Sequence, residues 1–189
     1  MLTLSTKMFR HLVTGGVALT LALPAFQVQG AQGSTQERAA KAESRLQKEV
    51  RHVLVTQPFY TVFDNLAYKI DGDRVTLLGQ VVTPTLKTDA GNAVKSIEGV
   101  SAVDNQIEVL PVSPGDDQIR RAEFRAIYSA AGMEKYSIQA VPPIHIIVKN
   151  GHATLVGVVA NEADKILANA RANSVPGVFS VMNDLKVEK

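Results

Sequence analysis

The chain contains no cysteine. That absence removes disulfides, thiolate zinc sites and thiol nucleophiles together, leaves stability to packing, and excludes a bacterial lipoprotein. Acidic residues are missing from the first thirty positions, where Lys7 and Arg10 account for the whole formal charge of +2. The remainder is neutral, so no bulk field draws it onto nucleic acid, and no nucleic-acid partner is expected. Catalytic signatures are missing as well. There is no G-x-S-x-G elbow, no P-loop and no glycine-rich dinucleotide fingerprint. Asp71-Gly72-Asp73 lacks the later ligands and closing Glu of a calcium loop and reads as a turn. Of the four histidines, His11, His52, His145 and His152, none has a ligand partner at helical spacing. His145 and His152 could approach across a hairpin, but two imidazoles without a carboxylate or thiolate make a weak site. Neither a metal, a cofactor nor enzymatic activity is expected.

What is present begins with an N-terminal export pattern. Lys7, Arg10 and His11 precede an apolar run from Leu12 to Leu23, which Pro24 closes before small and polar residues through Ala31. About a dozen apolar residues span only ~18 Å as a helix, short of a bilayer core of ~30 Å. The pattern predicts a signal peptide over residues 1–30, cleaved near Gly30 or Ala31, and delivery to the periplasm.

The rest of the chain repeats itself. At an offset of 78 residues, Leu66 to Leu110 lies on Ile144 to Glu188 without a gap. Thr76, Leu77, Gly79 and Val81 fall on Thr154, Leu155, Gly157 and Val159. Gly99, Val100, Val103, Asn105 and Val109 fall on Gly177, Val178, Val181, Asn183 and Val187. Glycines and alternating valines in register over such a length indicate duplication. Two repeats follow, over residues 35–112 and 113–189, joined by the turn-formers of Pro111 to Asp117.

Each copy reads as αββαβ. Ala39, Ala42, Leu46, Val50 and Val53 recur at helical spacing, which predicts a helix from about Thr35 to Val55; Phe124, Ile127, Tyr128 and Ala131 play that part in the second copy. Hairpins follow, over Leu66–Ile70 with Val75–Val82 and over Ile144–Val148 with Ala153–Ala160. Asn150-Gly151 is a strong hairpin turn, whereas the first copy has its turn glycine, Gly72, one place earlier. Thr83 with Pro84, and Asn161 with acids at 162 and 164, start second helices that Gly99 and Gly177 end. Last strands run from Val100 to Leu110 and from Val178 to Val187. The expected class is α+β, each repeat a three-stranded sheet covered by two helices.

The sequences Val75-Thr-Leu-Leu-Gly-Gln-Val-Val with Gly99-Val100 and Val103-x-Asn105, and Ala153-Thr-Leu-Val-Gly-Val-Val with Gly177-Val178 and Val181-x-Asn183, resemble the BON family. Domains of that family are often found in tandem in secreted, osmotically induced periplasmic proteins. The resemblance covers nearly all of the chain after the signal segment. It implies a non-enzymatic module that contacts phospholipid membranes or envelope components, and it supplies no catalytic residues.

Two candidate surfaces stand out. Arg38, Lys41, Arg45 and Lys48 recur at alternating three and four, placing them on one helical stripe suited to lipid phosphates unless Glu37, Glu43 and Glu49 neutralise it. Arg121 and Arg125 offer a shorter stripe on the matching helix. The loop Pro58 to Phe63 carries Phe59, Tyr60 and Phe63, which either tuck under the sheet or form a contact patch for a protein partner. Membrane phospholipid is the first expected partner, and an envelope protein bound by a chaperone-like interaction module is the alternative.

Overall fold

The computed structural model describes residues 30–139 and 141–188, so the expected signal peptide, but for Gly30, lies outside the described residues. The first repeat comprises α1 (Gly30–Val55), β1 (Asn65–Asp71), β2 (Arg74–Val81), α2 (Pro84–Lys95), β3 (Ala102–Asn105) and β4 (Glu108–Val109). The second comprises α3 (Pro114–Tyr128), a single 3-10 turn (Glu134–Tyr136), β5 (Ile144–Lys149), β6 (His152–Val159), α4 (Glu162–Asn173) and β7 (Ser180–Val187). Two mixed sheets result, each with an antiparallel hairpin and a third strand parallel to the hairpin's second.

The starts of the helices follow their caps. Thr83 accepts the Leu86 amide at 3.4 Å, Ser113 accepts that of Asp116 at 3.2 Å, and Asn161 accepts that of Asp164 at 2.9 Å. Each side chain satisfies one of the first-turn amides that have no partner within the helix. Leu46, Val50 and Leu54 turn one stripe of α1 inward onto Val75, Leu77 and Val81 of β2.

The two hairpins differ in turn and agree in register. Asp71 pairs with Arg74, and Lys149 pairs with His152, so both loops have two residues. Asn150 and Gly151 both have positive φ, 54° and 77°, the pattern of a type I′ turn. Gly72 has φ 61° and Asp73 is not left-handed, which is the φ pattern of type II′. Moving the glycine by one position therefore exchanges one tight turn for another without slipping a strand.

Strand ends repeat a second device. A Cβ at Gly79 would lie 2.0 Å from the Asn65 carbonyl oxygen, and one at Gly157 would lie 1.9 Å from that of Pro143. Only glycine fits where β2 and β6 pass so close to the strand beside them. Asn105 donates to the Lys87 carbonyl at 2.8 Å and accepts the Ile107 amide at 3.3 Å; Asn183 does the same with Lys165 at 3.0 Å and Leu185 at 3.3 Å. These asparagines tie the last strand of each repeat to its second helix.

Four details depart from the sequence reading. The second helices end at Lys95 and Asn173 with Ser96 and Ser174 as caps, so Gly99 and Gly177, at φ 95° and 90°, shape the turn beyond the helices instead of ending them. The last strand of the first repeat is interrupted at Gln106-Ile107, although β3 and β4 keep one register along β2. Ala131 lies beyond the end of α3 and is exposed. Buried Glu123 takes the middle of the α3 stripe, between Ile119 and Ile127, where α1 has Val50.

The repeats are interlocked. Val62, from the loop before β1, is buried in the core of the second repeat, and its carbonyl accepts the Ile146 amide at 2.8 Å. Asp64 is 1% exposed and braces that loop by accepting from the Thr61 amide (2.9 Å), the Thr61 hydroxyl (2.7 Å) and the Val82 amide (2.7 Å). Lys149 reaches Glu108 at 2.5 Å across the same joint.

Candidate functional site

The stripe foreseen on α1 is present. Arg38, Lys41, Arg45 and Lys48 are all exposed. Of the four, Arg45 is engaged among the described residues: it lies 3.6 Å from Glu49 and 3.9 Å from Glu98, and donates to the Glu98 carbonyl at 3.1 Å. At such exposure these pairs hold the guanidinium weakly.

The aromatic loop is divided rather than gathered. Tyr60 stacks on His145 with ring centroids 5.4 Å apart, and its hydroxyl lies 3.4 Å from His145 Nε2. Phe63 meets Phe124 edge-on at 6.3 Å. Both rings are spent on the joint between repeats, which leaves Phe59 alone at 74% exposure. Phe59 has φ 67° in the turn closed by the Tyr60 amide on the Gln57 carbonyl at 3.3 Å, with Pro58 before it. A left-handed residue after proline is the pattern of a type II turn, where glycine is preferred. A bulky side chain there carries local strain of about 1 kcal/mol.

Titratable groups at the joint respond to burial. Burial pushes the Tyr60 phenol up to about 12, with the nearby Asp64 charge adding to the rise. Burial also lowers the His145 imidazole, which is therefore neutral at pH 7. His145 and His152 do not approach each other: the register sets His145 opposite Val156 and His152 opposite Lys149. Four strand positions separate them, on the order of 13 Å. His152 instead bonds the Ser180 hydroxyl at 2.7 Å. Among the described residues no group of three or more His, Asp or Glu is placed to hold a metal ion.

The second repeat carries a groove beside α3. Its volume is about 710 Å³, with Ile119, Ala122, Pro176 and Phe179 as apolar walls and Arg121 and Arg125 along one side. Phe179 is 77% exposed. Neither arginine has a carboxylate within ion-pair distance among the described residues. Asp116, at the foot of α3, is 3% exposed and accepts the Asn150 and Gly151 amides at 2.9 and 2.8 Å, pinning the hairpin turn that forms the groove's far end. The signal for Phe179 was available in the sequence, because the repeat alignment sets it over Ser101. Periodicity passes over such a loop position.

On α3, Glu123 is 0% exposed, with neither carboxylate oxygen hydrogen-bonded among the described residues. Burial pushes its carboxyl up to about 7. Its neighbour Arg120 is 2% exposed and committed elsewhere, to Asp117 at 2.5 Å and to the Val148 carbonyl at 2.6 Å.

Among the described residues, then, fold and surfaces define a class: a tandem α+β repeat protein with open grooves and no assembled metal site. The BON domain profile matches residues 42–111 and 116–189, and the chain belongs to that family. It is similar to osmotically-inducible protein Y of Escherichia coli K12, 30% identical over 132 residues, covering 66% of this chain and 62% of that protein. The chain thus spans less than two thirds of this relative's length. Two solved structures of CdsD, a structural protein of the type III secretion system of Chlamydia trachomatis, align at 15% identity. One, its C-terminal domain, has a TM-score of 0.30 over 75% of this chain and 96% of that one; the other has 0.29 over 77% and 94%.

Proposed function

We propose that the protein is an exported, non-catalytic periplasmic binding protein that contacts anionic phospholipid surfaces as part of an osmotic-stress response. The observation that carries the lipid reading is the α3 groove, whose lining combines the exposed Phe179 with two arginines that have no ion-pair partner among the described residues. Cations and an exposed ring in one groove suit a headgroup region, the charges meeting phosphate and the ring entering below it. The α1 stripe of Arg38, Lys41, Arg45 and Lys48 adds long-range attraction, each charge contributing on the order of 1 kcal/mol near an anionic surface before salt screening. The basic N-terminal segment supports export, and the osmotically inducible relative supports the physiological setting. No helix among the described residues is long and apolar enough to cross a membrane, which agrees with surface contact.

Sedimentation with anionic and zwitterionic vesicles at low and near-physiological salt tests the reading. Anionic-selective, salt-sensitive pelleting is expected, reduced in Arg38→Ala/Lys41→Ala/Arg45→Ala/Lys48→Ala and abolished in Arg121→Ala/Arg125→Ala/Phe179→Ala. Pelleting that both variants retain in full removes these surfaces from the account. Phe59 favours a second reading, in which its strained, exposed ring grips an envelope protein. In that case Phe59→Ala abolishes a salt-insensitive capture while leaving vesicle pelleting unchanged.

A further inference from the structure

A separate groove opens where the repeats meet. It has a volume of about 580 Å³, within the range of small-ligand sites, and both repeats line it. Leu54 and Leu66 of the first repeat face Pro143, Val156 and Val158 of the second across it. Val55 and Val158, on its rim, are 49% and 47% exposed, an apolar edge left open to solvent. The Tyr60 and His145 pair forms part of the wall, and burial keeps both uncharged at pH 7.

Charge sets the direction of the argument. Among the described residues no Asp or Glu lines this groove, and the one permanent charge in its lining is Arg51. Among the described residues Arg51 has no ion-pair partner. At about 100° per residue it lies on the flank of α1 between buried Leu54 and exposed Lys48, and it is itself exposed. A lone guanidinium beside an apolar slot suits a slender molecule with one anionic head and one hydrocarbon tail. Cations are disfavoured at the mouth.

We propose that the joint between the repeats binds a single long-chain fatty acid anion, with its carboxylate on Arg51 and its chain against Leu54, Leu66, Pro143, Val156 and Val158. A guanidinium holds a carboxylate, the head of the simplest one-tailed anionic amphiphile, through two parallel hydrogen bonds. The site differs from the α3 groove in position and in ligand, since here one amphiphile is taken up rather than a membrane touched.

The test is titration of the purified protein with sodium dodecanoate below its micellar range, read by calorimetry and by methyl NMR. One dodecanoate per chain is expected, with methyl shifts at Leu66, Val156 and Val158. Dodecyltrimethylammonium, of equal tail and opposite charge, should leave those methyls in place. Arg51→Glu should weaken dodecanoate by about tenfold or more, the loss expected for a charge-assisted bond. Val158→Phe, which fills the groove from an exposed position, should block uptake while vesicle pelleting stays that of the parent, so the two sites fail separately. Equal binding of the cationic amphiphile, or shifts confined to the α3 groove, overturns the proposal. Displacement of dodecanoate by lauroyl-lysophosphatidylglycerol at far lower concentration overturns the carboxylate assignment in favour of a phosphate head.

Discussion

Replacing Glu123 by Gln keeps the shape of the side chain and removes its ionisation. In the folded protein burial raises this carboxyl from an ordinary 4.5 to about 7, so the native state holds a proton that the unfolded chain releases. Stability from this group is therefore complete below about pH 4.5 and is lost as pH rises through about 7. The full loss corresponds to about 3 kcal/mol at 1.36 kcal/mol per pH unit, and most of it falls between pH 5 and pH 8. Urea unfolding followed by circular dichroism at those two pH values, with ionic strength held constant, measures it. Other groups titrate too, so the informative quantity is the change in the parent minus the change in the variant. That difference should be about 2 to 3 kcal/mol, or a midpoint displacement of roughly 1 to 2 M urea. Glu123→Val, which copies the residue of the first repeat, should behave the same way and also gain stability at pH 8, because an unpartnered buried charge costs more than a small cavity. If parent and both variants lose stability in parallel between pH 5 and 8, Glu123 is not ionising inside the core and the reasoning fails.

Two further outcomes concern the scaffold. Gly157→Ala would set a methyl 1.9 Å from the Pro143 carbonyl oxygen, so a loss of roughly 3 kcal/mol or more is expected by thermal unfolding; Gly72→Ala meets nothing within 4 Å and should cost only about 1 kcal/mol of left-handed strain. Equal losses at the two sites would show that backbone angle, not close approach, dictates these glycines. Asp64→Ala removes three hydrogen-bond acceptances from a buried brace and should lower stability by roughly 2 to 4 kcal/mol while speeding hydrogen exchange at the Ile146 amide, whose acceptor sits on the braced loop. Unchanged exchange at Ile146 would mean that the loop holds its place without Asp64.

The αββαβ order was legible because its main signals are local: alternation in the strands and a cap residue before each second helix. The helix ends were less so, since both second helices stop at serine caps before Gly99 and Gly177. Duplication strengthened each of them, since Gly79 and Gly157 meet the same carbonyl position and Asn105 and Asn183 make the same two bonds. Glu123 was not legible, because a periodicity search treats a charged residue as a solvent position even where the stripe runs through it. Nor was the fate of Tyr60 and Phe63. Their partners, His145 and Phe124, lie in the other repeat, and no spacing within one copy points to them. The α1 cations were visible as a stripe, whereas the α3 groove needed Phe179 brought up beside Arg121 and Arg125 from the end of the next helix's loop.

The Val62 insertion makes the dependence between the halves run one way. The first repeat's core is built entirely from its own residues, while the second's includes Val62 and packs against Phe63. A chain that is synthesised from its N-terminus can close the first core before the second half arrives. The loop is then already braced by Asp64 and offers a side chain and a carbonyl to the late strand β5. The second core is in this sense finished by a side chain and a carbonyl lent from its own duplicate.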